Sequence, residues 1–92
     1  MKLKIECYGN IDHGQNPFEL IAKKEINGEN IQEIRGKVYD FQSKNQIGGG
    51  NWGECPLYLH GVFIGYMSYN GTVWDRSDSD LGRKEEIDDT KF

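Results

Sequence analysis

Polar and apolar residues alternate from the start of the chain. Between Lys2 and Gly9, the polar residues Lys2, Lys4 and Glu6 interleave with Leu3, Ile5 and Cys7, the period-two signature of a strand with one buried face. Turn formers fill Gly9 to Pro17. From Phe18 to Ile26 the alternation resumes, with Phe18, Leu20 and Ala22 set against charged residues ahead of Asn27-Gly28. The pattern predicts a second strand antiparallel to the first, although Phe18 to Glu25 also fits a short helix. The period then changes: Ile31, Ile34, Val38 and Phe41 are spaced by three, four and three residues, which places them on one helical stripe. Asn30 is a good N-cap, Glu33 can reach back towards it, and Glu29, Glu33 and Lys44 suit the helix dipole, so a helix is predicted from Asn30 to Lys44 or Asn45.

A glycine-rich connector, Ile47 to Glu54, carries Trp52. Beyond it, Leu57 to Leu59, Val62 to Tyr69 and Thr72 to Asp75 read as three strands joined by two-residue turns at His60-Gly61 and Asn70-Gly71. The expected architecture is α+β: two layers, one helix packed on an antiparallel sheet in the order β-β-α-β-β-β, occupying residues 1–75, with an acidic, loosely ordered tail over 76–92. Two-residue turns also fix a register. Leu59 would pair with Val62, Leu57 with Ile64 and Ser68 with Val73, pointing with Tyr66 to the face beneath the helix. The other face would carry Tyr58, Phe63, Met67, Tyr69, Thr72 and Trp74, more apolar area than a monomer of this size normally exposes.

Composition narrows the function. Ninety-two residues bury roughly 60–65% of their unfolded surface, enough for one layer pair but not for a Rossmann enzyme or a barrel. Net charge is −4, with −3 of it between Asp75 and Phe92, which argues against non-specific binding of nucleic acid or anionic lipid and favours a basic partner. Two cysteines and no signal-like start suggest a reduced, cytoplasmic chain, and no apolar run approaches the ~18–20 residues that span a bilayer.

No chemistry-bearing motif survives its context. Gly48-Gly49-Gly50-Asn51-Trp52-Gly53 spells a dinucleotide fingerprint but follows a helix instead of preceding one. The run Asp75 to Gly82 has its glycine misplaced for a calcium loop, and Cys7, Cys55, His13 and His60 lack zinc-ligand spacing. Pairing of Cys7 with His13 or His60, or of Cys55 with His60, lacks any marked oxyanion site. The reading is therefore no enzyme, no catalytic residue, no metal and no cofactor.

The closing hairpin, Tyr66-Met67-Ser68-Tyr69-Asn70-Gly71-Thr72-Val73-Trp74-Asp75, with the acidic tail after it and one helix before it, resembles the small single-domain proteins of phages and mobile elements, including anti-CRISPR proteins. That resemblance implies a non-enzymatic inhibitor occupying a basic channel or subunit surface of a bacterial defence complex in the host cytoplasm, with no direct contact to nucleic acid. The expected contacts are the rings of Tyr58, Phe63, Tyr69, Trp74 and Trp52 with Met67, and the carboxylates of Asp75, Asp78 and Asp80. The alternatives are a homodimer holding a nucleotide-like small molecule and a homo-oligomeric accessory protein.

Overall fold

A computed structural model describes residues 1–75 and 85–87. The described residues form strands β1 (Lys2–Tyr8) and β2 (Leu20–Asn27), helix α1 (Ile31–Lys44), and strands β3 (Pro56–Leu59), β4 (Val62–Met67) and β5 (Val73–Trp74). The strands build one antiparallel sheet in the order β2-β1-β3-β4-β5, with α1 on one face: the expected α+β, β-β-α-β-β-β arrangement. Residues 20–27 form a strand rather than a helix.

Helix α1 begins where its cap requires. The Asn30 side chain accepts from the Glu33 N–H at 2.9 Å, and the Glu33 carboxylate accepts from the Glu29 N–H at 3.1 Å, one residue before the cap. That bond, with Lys37 at 3.3 Å, holds the Glu33 carboxyl below its usual range. The stripe Ile31, Ile34, Val38 and Phe41 is buried against Leu3, Ile5 and Cys7 of β1, Ile26 of β2, Leu57 of β3, Met67 of β4 and Val73 of β5, with Cys55 and Ile47 completing the core. Each such fully buried side chain contributes about 1.5–3 kcal/mol relative to exposure.

Two irregularities in the last three strands change which side chains share a face. His60 (φ 50°) and Gly61 (φ 79°) make the expected tight turn, so Leu59 pairs with Val62 and Tyr58 with Phe63. A bulge then intervenes, and Leu57 pairs with Gly65 instead of Ile64. One extra residue reverses the alternation beyond it. Tyr66 therefore turns outward, opposite Pro56 and Trp74, while Met67 turns inward opposite Val73 and is only 1% exposed. Gly65 fits this crowded point because a Cβ there would lie 2.6 Å from the Trp74 carbonyl oxygen.

The second hairpin uses a longer turn than expected. Gly71 N–H donates to Ser68 O, Ser68 N–H donates to Thr72 O, and Gly71 is left-handed at φ 91°, so Tyr69, Asn70 and Gly71 form a three-residue loop. Arg35 Nε donates to Gly71 O at 2.7 Å and Gln42 Nε2 to Tyr69 O at 2.9 Å, fastening this loop to α1.

The two sheet edges differ. At β5, Asp75 N–H donates to Glu85 O and Ile87 N–H to Val73 O, so Glu85 to Ile87 run alongside as an added bridge, with Ile87 half-buried against the core. At β2 no described strand lies beyond the edge.

Candidate functional site

Rings do gather on the outer face of the sheet, but the cluster is smaller than expected and lies nearer the β3–β4 turn. Tyr58 and Phe63, opposite one another across β3 and β4, meet edge to face with centroids 6.0 Å apart, and Phe63 meets Tyr66 in the same way at 5.1 Å. Phe63 remains 43% exposed, and its neighbour Val62 is 64% exposed. Tyr58 and Tyr66 are half-buried. Such exposure of a ring already ordered by two aromatic neighbours gives a partner contact area at little extra entropic cost.

Other members of the expected strip make contacts within the protomer, although Tyr69 remains 40% exposed. Met67 is core, through the bulge. Tyr69 leaves the sheet in its loop: its ring packs edge to face on Trp52 at 6.1 Å and its hydroxyl donates to Ile47 O at 3.2 Å. Trp52 folds back rather than projecting outward, bridging to Cys7 of β1 and donating its indole N–H to Met67 O at 2.9 Å. Trp74 lies on the outer face, half-buried, paired with Tyr66 on one side and bridged to Glu86 on the other. Asp75 is half-buried, and its carboxylate accepts from the Glu85 N–H at 2.9 Å, a structural use. Asp78 and Asp80 lie outside the described residues.

Basic side chains stand beside Tyr58. Lys4 Nζ sits 5.3 Å from the Tyr58 ring centroid in a cation–π arrangement. An open cleft of about 410 Å³ beside it is lined by Lys2, Lys4, Tyr58, His60 and Asn27.

A second exposed apolar group was not visible in the sequence. Phe18, read there as the start of the second strand or of a short helix, sits instead in a turn, with its N–H bonded to the Asn16 side chain at 3.0 Å and its ring 90% exposed. Ile11, Leu20 and Ile21 are exposed on the same hairpin. The Asn16-Pro17 pair is the signal that could have moved Phe18 out of the strand.

Catalytic pairings are not assembled. Cys7 and Cys55 are buried free thiols, pushed up by burial to about 11 and about 12, so both are protonated at neutral pH. His13 ends an exposed 3-10 turn beyond β1, and His60 occupies the β3–β4 turn. Among the described residues, no cluster of three or more His, Cys, Asp or Glu side chains could hold a metal, and no helix is long and apolar enough to cross a membrane. Comparison with known proteins finds no matching family model, no similar curated protein and no similar solved structure.

Proposed function

We propose that the protein is a non-enzymatic binding module that inhibits by occupancy, docking a protein partner on the outer face of its sheet around Phe63. The observation that carries this reading is the ordered trio of Tyr58, Phe63 and Tyr66 on the outer face, with Phe63 solvent-exposed. Interface hot spots are enriched in large anchoring side chains, Trp and Tyr among them, set in well-packed surroundings. The target class, a nucleic-acid-binding effector of bacterial defence, comes from the resemblance of the chain to small anti-defence proteins. The test is expression in a bacterium with an active CRISPR system. The protein should restore infection by a targeted phage, and Phe63→Ala should lose that effect while keeping its thermal midpoint. Failure to relieve interference across a panel of CRISPR types would remove the target class, and retention of the effect in Phe63→Ala would remove the surface.

A second reading draws on the cleft beside the rings. Lys2, Lys4 and His60 next to the Tyr58 face suit a small anionic aromatic ligand of the nucleotide class. Calorimetric titration with nucleoside mono- and triphosphates tests it: saturable heat that disappears in Lys4→Ala supports it, and none in the wild type removes it.

A further inference from the structure

The open edge of the sheet carries a pattern that goes beyond the outer-face reading. Gly28 N–H donates to Met1 O at 3.1 Å, which fixes the phase of the β1–β2 ladder. In an antiparallel pair, bonded and non-bonded positions alternate, so Ile26, Lys24 and Ala22 spend their main-chain groups on β1, while Lys23, Glu25 and Asn27 direct theirs away from it. The Asn27 carbonyl is met there by Lys37 Nζ at 2.6 Å. At Lys23 and Glu25 the outward main-chain groups meet no strand among the described residues.

The side chains of the same residues lie on the outer face in an alternating charge array. Lys4 stands opposite Glu25, and Glu6 opposite Lys23, across β1 and β2. Lys2 adds an ion pair to Glu25 at 3.7 Å. If a second β2 is laid antiparallel against the first about Lys24, Lys23 falls opposite Glu25 of the other copy, and both are positions whose main-chain groups point outward. Each row then reads Lys4, Glu25, Lys23, Glu6 across the junction, with signs alternating throughout. Shifting the register by two residues either way places Lys23 against Lys23 or Glu25 against Glu25.

We propose that the β2 edge is a self-association surface, on which a second copy of this chain pairs antiparallel about Lys24 to form a continuous sheet across a two-fold axis. The pairing leaves the Phe63 surface of each copy open and presents it twice, which raises avidity for a repetitive or symmetric partner. Lys24 meets its own copy at the axis, a like-charged contact on the helix face of the sheet.

Sedimentation equilibrium of the full chain, from micromolar to millimolar concentration at low salt, tests the proposal. A monomer–dimer equilibrium is expected. Lys23→Glu and Glu25→Lys should each weaken it by about tenfold or more, because each creates two like-charged contacts at the axis. The double variant Lys23→Glu/Glu25→Lys should recover the wild-type constant. Within each protomer the double variant still opposes Glu6 with Glu and Lys4 with Lys, so its thermal stability should fall further while dimerisation recovers. A merely structural effect would move both readouts together. A wild type that stays monomeric at millimolar concentration overturns the proposal. So does a dimer indifferent to the single charge reversals, one not rescued by the double variant, or one lost in Phe63→Ala.

Discussion

Leu57 and Tyr58 are consecutive on β3, and the sheet puts them to opposite uses. Leu57 is fully buried beneath α1, in contact with a core that draws on every strand. Tyr58 faces outward, with Lys4 over its ring and Phe63 at its edge. The inner face obtains stability from area removed from water. The outer face keeps part of its area in water while its rings order one another. The pleat of a single strand thus separates the buried face from the face proposed for recognition, so changes on one face should be silent on the other.

The widest separation comes from truncating the inner face. Leu57→Ala should cost about 2–5 kcal/mol in urea unfolding, since the helix lying over the sheet cannot follow the lost volume. A pH-dependent inner-face effect comes from the thiols. Because the fold raises Cys7 to about 11 and Cys55 to about 12, above the ordinary value of 9.0, their neutral forms favour the folded state. This stabilisation is whole below pH 9 and is lost as pH rises towards 11 and 12, by an amount on the order of a few kcal/mol. Unfolding free energies measured across that range should fall, and Cys55→Ala should flatten the slope. Smallest of all should be Phe63→Ala, at less than about 1 kcal/mol by the same urea measurement. A loss approaching that of Leu57→Ala would mean that Phe63 is part of the core and would end the distinction between the faces.

The parts of this fold legible in the sequence are those with a single unambiguous period. The stripe Ile31, Ile34, Val38 and Phe41 with its Asn30 cap, and the alternation of Lys2 to Cys7, each allow one arrangement, and both elements form as read. The bulge after Phe63 left no such trace. Val62 to Met67 is apolar on both faces apart from Gly65, so the run keeps its character in either phase, and Met67 and Tyr66 exchange sides without a sequence signal. The Asn70-Gly71 turn was ambiguous for another reason. A glycine in the left-handed region suits both the two-residue and the three-residue loop, and the contacts of Arg35 and Gln42 with the loop carbonyls, distant in sequence, accompany the longer form. Of the expected face, Tyr58, Phe63 and Trp74 stand on it, whereas Met67 is buried and Tyr69 and Trp52 pack on one another.

The short partnership of Glu85 to Ile87 with β5 bears on how the chain can be trimmed. By composition, everything after Asp75 looks dispensable. A version ending there would expose the Val73 backbone along the sheet border and leave a hollow where Ile87 rests. Such a shortened protein should precipitate or fibrillise during preparation, and its insolubility would be a fault of the missing hem rather than of the weave.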